Sequence, residues 1–295
     1  MKKAYLISFL LAFVSLYSFA QEKIDFHINL DAGACFEVAS STISVSQNMA
    51  KESKGEVNTV VRYRVVKKTP DFYRLNFMYT DYYSVVTGIR TFTINPKNAD
   101  PLNILDVSTQ TSMMMNKPFS ADVSPKGKIS AVKGNKEIEK EFKQKTKSLS
   151  PELSDQIYFM VNSFSGDKAL VELIESWTSY IPDSAVKIGD SWTVQQDSAL
   201  THYTFVAETD AIYSIEGMGS KKTTINNEIM GISMIVNTEE EYTIAIEIDK
   251  HTFLPNIISR ESDASITSSM PNNPAFPNHQ AKSKNIATLK INGCN

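Results

Sequence analysis

Apolar side chains recur at every second position in four separate stretches of this chain, and that period leaves few folds open. In 57–65 the series is Val57, Thr59, Val61, Tyr63 and Val65, with Asn58, Arg62 and Arg64 between them and Val60 as the exception. Tyr73, Leu75, Phe77 and Tyr79 alternate with Arg74, Asn76 and Met78. Tyr242, Ile244, Ile246 and Ile248 alternate with Thr243, Ala245 and Glu247, and Ala287, Leu289 and Ile291 with Thr288 and Lys290. A period of two marks a strand with one buried and one wet face. Such strands belong to antiparallel sheets, because parallel strands are covered on both sides and read as unbroken apolar runs.

Turn chemistry agrees with that reading. Ser124-Pro125-Lys126-Gly127 has Pro at the second position and Gly at the fourth of a type I turn, which predicts a hairpin joining Phe119–Val123 to Lys128–Val132. Pro70-Asp71 separates the 57–65 strand from the one that begins at Tyr73, and Asp249-Lys250-His251 turns the chain between Ile248 and Phe253.

Between Asn135 and Tyr180 the period lengthens to that of a helix. Glu139 with Lys143 and Glu141 with Lys145 stand four apart around an apolar pair, Ile138 and Phe142, as on a solvated helix. Ser150-Pro151 starts a second helix, with Ser as cap and Pro in the first turn; its stripe is Leu153, Ile157, Met160, Val161 and Phe164. Asp167 is the expected cap of a third, with Leu170, Leu173, Ile174 and Trp177 on one side and Pro182 as terminator. A shorter helix is expected from Asp100-Pro101 through Ile104 and Leu105. Met270–His279, rich in Pro and Asn, reads as a surface loop. Strands, then helices, then strands predict an α+β fold: a curved, half-barrel-like antiparallel sheet with about three helices inserted over about 135–180 and packed on one face.

The first twenty residues read as a secretory signal. Lys2 and Lys3 precede an apolar run from Ala4 to Phe19, and Ser18-Phe19-Ala20 places small residues at −3 and −1 of a cleavage site. The run is shorter than a membrane span needs. Residues 21–295 then form one exported domain, periplasmic or secreted, with no transmembrane segment after cleavage. Ala32-Gly33-Ala34-Cys35 faintly suggests a lipidation box, but Glu22, Lys23, Asp25 and Asp31 part it from the apolar run. A net charge of −3 and no long basic run give no support for nucleic-acid binding. Aromatic residues at 10% and hydrophobic residues at 42% describe a globular chain, not a disordered one. The two cysteines, Cys35 and Cys294, permit a disulfide in an exported protein; two free thiols are the alternative.

Chemistry-bearing motifs are sparse. Gly189-Asp190-Ser191-Trp192 resembles the Gly-Asp-Ser nucleophile block of a lipase and esterase family, which implies a Ser191 nucleophile with an Asp-x-x-His base near the C-terminus. Asp249-Lys250-His251 is one residue short of that spacing, and the block follows the helices when it should follow a first strand. A turn that leads Trp192 into the core is the simpler reading. His27, His202, His251 and His279 show no metal-ligand spacing, so no metal or other cofactor is expected. Met113-Met114-Met115 reads as packing, with an adaptable pocket as the alternative.

Lys117-Pro118-Phe119, Val123 through Ile129, Val132-Lys133-Gly134 and Val186 through Trp192 together resemble an uncharacterised family of exported bacterial proteins, a domain of unknown function. That resemblance covers most of the chain and implies no activity. In element order alone the chain is also similar to periplasmic lipoprotein carriers of the LolA type, whose unclosed barrel and helical lid enclose an apolar cavity.

The expectation from these readings is a non-enzymatic envelope protein that binds a lipid or other apolar or amphipathic ligand between sheet and helices. The expected walls are Leu75, Phe77, Tyr79, Ile157, Met160, Phe164, Ile174 and Trp177. The alternative is a structural or interaction module that meets an envelope protein through a sheet edge or the Met270–His279 loop. A Ser191 hydrolase ranks third.

Overall fold

The computed structural model describes residues 22–48, 51–88, 91–229, 232–269 and 279–294. The signal-like residues 1–20 and the loop 270–278 lie outside the described residues. The strands are β1 (Cys35–Asn48), β2 (Lys51–Lys68), β3 (Tyr73–Thr87), β4 (Phe92–Ile94), β5 (Phe119–Val123) and β6 (Ile129–Lys133), then β7 (Ser191–Gln196), β8 (Ala199–Glu208), β9 (Ile212–Ile229), β10 (Ile232–Asp249), β11 (Pro255–Ser269) and β12 (His279–Gly293). The helices are α1 (Val107–Ser112), α2 (Asn135–Lys145), α3 (Pro151–Ser165) and α4 (Asp167–Thr178).

All twelve strands form one antiparallel sheet in the order β6-β5-β3-β2-β1-β12-β11-β10-β9-β8-β7, with β4 beside β3. Neighbours in the sheet are neighbours in the chain except where β3 pairs with β5, with β4 set beside β3, and at one long-range seam, where β1 pairs with β12. The sheet therefore has two wings, one N-terminal (β1 to β6) and one C-terminal (β7 to β12). Their outer edges, β6 and β7, do not pair, so the sheet is not a closed barrel. The chain between those edges is the helical segment. The fold is α+β, as the alternation and the change of period predict.

Cys35 and Cys294 are joined in a disulfide at the seam, with 5.4 Å between their Cα atoms. The Cys294 N–H also donates to the Cys35 carbonyl at 3.3 Å.

Local chemistry sets the element ends. Gly127 adopts φ 76° in the β5–β6 turn, whose Gly127 N–H donates to Ser124 O at 2.9 Å. A Cβ there would stand 2.8 Å from Thr178 Cβ, so glycine lets the hairpin tip touch the end of α4. The Ser150 hydroxyl accepts from the Leu153 N–H and caps α3. Two expectations need correction. Gly166, not Asp167, is the cap residue of α4; Asp167 is its first helical residue, and its carboxylate takes the Asn135 amide at 2.9 Å. The short helix begins not at Asp100 but after Asp106: the side chains of Asp100 and Asn103 accept from Leu102 N–H and Leu105 N–H, holding 100–105 in turns.

The N-terminal wing is filled by aromatic rings. Antiparallel pairing aligns Phe36, Tyr63, Phe77 and Phe119 across β1, β2, β3 and β5. Successive ring centroids are 5.1, 5.3 and 5.5 Å apart, all near parallel. Trp177 of α4 stands edge-on over this ladder, 5.4 Å from Phe36 and 5.5 Å from Tyr63. Leu170 and Ile174 are buried with it, so one face of α4 belongs to this wing. At the base, the segment before β1 inserts Phe26 among Phe205, Tyr213 and Phe253. Lys126 holds that segment through Asp25 Oδ1 at 2.6 Å and the Phe26 carbonyl at 2.8 Å.

Candidate functional site

The inner face of the C-terminal wing changes character row by row. Register places Phe205, Ile215, Ile246, Ile258 and Leu289 side by side in the lowest row. The next row reads Tyr203, Gly217, Ile244, Arg260 and Ala287. Above it come Thr201, Gly219, Tyr242, Ser262 and Asn285, then Ala199, Lys221, Glu240, Ala264 and Ser283. An apolar base thus gives way to hydroxyls and then to charges over four rows of one sheet face, except that Arg260 starts from the second row and reaches Glu240 of the fourth.

Over this floor runs the second face of α4, carrying Lys168, Glu172, Glu175 and Ser176. Their three- and four-residue spacing puts them on one side of the helix. Floor and roof enclose an open groove of about 1230 Å³. Its walls include Leu173, Tyr180, Ile244, Ile246, Ile258 and Leu289 on the apolar side. Asp197 of the β7–β8 turn and Thr223 to Ile225 of β9 stand at its rim.

Two glycines shape the floor. A Cβ on Gly217 would lie 2.8 Å from the Tyr203 ring, and one on Gly219 would lie 2.7 Å from the Tyr242 hydroxyl. Each tyrosine thus lies against a strand position that has no side chain. Tyr203 stacks on Trp192 at 5.8 Å, and Trp192 donates its indole N–H to the Tyr180 carbonyl at 2.9 Å. The Tyr242 and Thr201 hydroxyls share a buried hydrogen bond of 2.7 Å. Burial is the main cause that pushes the Tyr203 hydroxyl above its ordinary pKa.

The charges are arranged in pairs with two exceptions. Arg260 lies over the Tyr242 ring at 3.9 Å and reaches Glu240 Oε1 at 2.9 Å. Lys168 ties the roof to the β7–β8 turn through Asp197 at 3.0 Å and also faces Glu172 at 3.8 Å. Among the described residues, Glu175 and Lys221 make no ion pair. Burial raises the Glu175 pKa, and the neighbouring Asp197 and Glu172 raise it further.

The eight residues expected to wall a cavity do gather between β3, α3 and α4, but none of them lines this groove. Leu75, Phe77, Tyr79, Ile157, Ile174 and Trp177 are buried in the packed core, with Met160 and Phe164 half-buried at its margin. Phe164 meets Tyr82 edge-on at 5.8 Å, and Tyr79 donates to the Phe164 carbonyl at 3.2 Å. Met113 and Met114 are buried in the same core.

Ser191 lies on the opposite, exposed face of β7, and its hydroxyl pairs with Thr204 at 2.9 Å. His202, two residues from Thr204 on that face, bonds Thr193 at 2.9 Å. His27 stacks on Phe253 at 4.9 Å, and His251 sits in the β10–β11 turn. Gly189 has φ 91°, and the Gly-Asp turn delivers Trp192 to the inner face. Among the described residues no group of three His, Cys, Asp or Glu is placed to hold a metal ion. No described helix is long and apolar enough to cross a membrane, which says nothing of strands.

Sequence reasoning missed Arg260, Glu240, Lys221 and Glu175. One signal was present: Gly217-Met218-Gly219 puts two glycines on the same face of a strand, which marks a close approach by neighbouring groups.

Residues 71–255 match a family of unknown function (DUF6263). The stretches at 117–134 and 186–192 fall inside that match. No curated protein matches the sequence. Among solved structures, an outer membrane channel from Pseudomonas putida F1 is similar with 6% identity, 92% of this chain and 99% of that chain covered, and a TM-score of 0.25. The β domain of the Bordetella autotransporter BrkA is similar with 7% identity, 88% and 99% covered, and a TM-score of 0.21. Likeness at that level carries no argument about this chain.

Proposed function

The chain belongs to DUF6263, a family of unknown function, and from that premise we propose that it is a non-enzymatic binding protein of the cell envelope. Its groove beneath α4 takes an apolar or amphipathic ligand. The observation that carries the reading is the groove of about 1230 Å³ with an apolar lowest row and a polar rim. A ligand site of that kind is concave, mostly apolar and carries a few placed polar groups. The envelope location rests on the leader-like first twenty residues, Lys2, Lys3, the apolar run and Ser18-Phe19-Ala20.

The test is direct. Purified protein is titrated with 1-aminoanthracene, a neutral apolar dye, and with dodecyl maltoside as competitor. Ala287 lies in the floor beside Arg260, so Ala287→Trp fills the groove. The expected result is saturable dye binding, displacement by dodecyl maltoside, and at least about a tenfold loss of dye affinity in the variant. Equal dye binding by both proteins, with the variant's melting temperature unchanged, refutes the groove as the site.

A second reading, an interaction module, has one observation in its favour. The last residue of β9 paired with β8 is Lys221, and the Lys222 N–H still donates to the Ser198 carbonyl at 3.3 Å; beyond that, the edge of β9 has no partner strand among the described residues, which suits strand addition.

A further inference from the structure

We infer that the guest of the groove is a zwitterionic amphiphile, an inference that rests on the binding reading above. The groove carries charges of both signs, and they are sorted by wall. Glu172 and Glu175 hang from α4, with Asp197 beside them in the β7–β8 turn; Arg260 and Lys221 stand on the sheet. Each wall also holds one charge of the other sign: Lys168 in the roof, tied to Asp197 and Glu172, and Glu240 in the floor, tied to Arg260. Lys222, at the rim, is occupied by Glu239 at 2.8 Å.

Subtracting these pairs leaves a roof carboxylate, Glu175, and a floor ammonium, Lys221, both without an ion-pair partner among the described residues. The Glu175 carboxyl is held above its ordinary pKa by burial and then by two neighbouring carboxylates, an environment that a cation relieves. Arg260 is bound to Glu240 by one guanidinium nitrogen, and its side chain is still 34% exposed toward the groove. A purely anionic head gains from Lys221 and Arg260 but faces the acidic roof. A purely cationic head gains from Glu175 but faces the basic floor. A head with both charges meets both walls, and discrimination arises as much from repelling the wrong heads as from attracting the right one. The rows set its orientation: the tail lies along Ile246, Ile258 and Leu289, and the head lies toward the Lys221 row.

The experiment compares four ligands with twelve-carbon chains, each below its micelle concentration: dodecylphosphocholine, laurate (whose twelfth carbon is the carboxylate), dodecyltrimethylammonium and dodecyl maltoside. Affinities are measured by calorimetry on the purified protein. Dodecylphosphocholine is expected to bind about tenfold more tightly than either singly charged ligand. Lys221→Gln is expected to move the phosphocholine-to-laurate ratio little and to raise dodecyltrimethylammonium relative to both. Glu175→Gln is expected to raise laurate relative to phosphocholine by about tenfold. Equal affinity for all four heads, or a preference for a singly charged one, overturns the zwitterion while leaving the groove as a binding site. Binding of none of the four removes the groove reading itself.

Discussion

The two wings are built from the same kind of strand and end up as different objects. On the N-terminal wing the inward positions are Phe36, Tyr63, Phe77 and Phe119, large buried rings stacked in a row, with Trp177 edge-on over the first two. On the C-terminal wing the corresponding positions hold Gly217, Gly219, Thr201, Ala287 and the Arg260–Glu240 pair, and the helix above them stays apart. The same α4 serves both, with Leu170, Ile174 and Trp177 on one side and Glu172, Glu175 and Ser176 on the other. Whether an antiparallel face becomes a core or a groove depends on side-chain volume and polarity at the inward positions, and the strand pattern is silent on both.

The sharpest way to break that comparison is Trp177→Ala. If the N-terminal wing is filled, the loss should be about 3–5 kcal/mol by denaturant unfolding. A loss under about 1 kcal/mol would mean that this wing is as loosely packed as the other. Cutting the seam comes next. The Cys35→Ser, Cys294→Ser double variant is expected to lose about 2–4 kcal/mol. The same midpoint with and without reductant in the wild type would show that the bridge does not hold the wings together.

Smaller effects sharpen the contrast within the C-terminal wing. Gly219→Ala places a methyl against the Tyr242 ring and the Leu200 carbonyl, and backbone does not yield cheaply. The expected cost is about 1–3 kcal/mol. Ile244→Ala, half-buried over open space, should cost about 1 kcal/mol or less, well below a buried Ile elsewhere. A cost near 3 kcal/mol would show a floor that is packed after all.

Glu175→Gln is the smallest and has a sign. The folded-state pKa of Glu175 is raised, so the folded protein holds that proton more tightly than the unfolded chain does. Its contribution is therefore unfavourable once the pH rises through the interval from the ordinary glutamate value to the raised one. The variant should melt at a slightly higher temperature at neutral pH, with the difference vanishing in acid below the ordinary range. A lower melting temperature at neutral pH would contradict the burial of this carboxylate.

Much of the fold was legible because it rests on local periods. Val61, Tyr63 and Val65 face inward at period two, and Leu170, Ile174 and Trp177 are buried at helical spacing, as expected. The seam was legible only as a permission: two cysteines allow a bridge, and the β1–β12 register that brings them together is a contact across the whole chain. The groove was not legible. Period two says that Tyr242, Ile244 and Ile246 point inward, not that α4 stops short of them. Glu172 and Glu175 carry no signal of the groove, since a charge that faces a groove and a charge that faces solvent obey the same spacing. The expected walls, Phe77 and Trp177 among them, are buried among large rings, and none of the eight lines the groove.

The order of strands also governs how the molecule assembles. Within each wing every strand meets a near neighbour in the chain, across short loops except between β3 and β5, which β4 and α1 separate. The β1–β12 seam alone joins the two ends of the sheet's chain, 259 residues apart at the Cys35–Cys294 bridge, and its loop-closure cost is the largest in the sheet. Topology thus favours two half-sheets that arise early and a central zipper that closes late. Pulsed hydrogen exchange during refolding should protect the β9–β10 amides before those of β1–β12, and the opposite order would exclude this route. In such a pathway the middle of the sheet is the last part to exist, and oxidation of the two thiols locks the finished product.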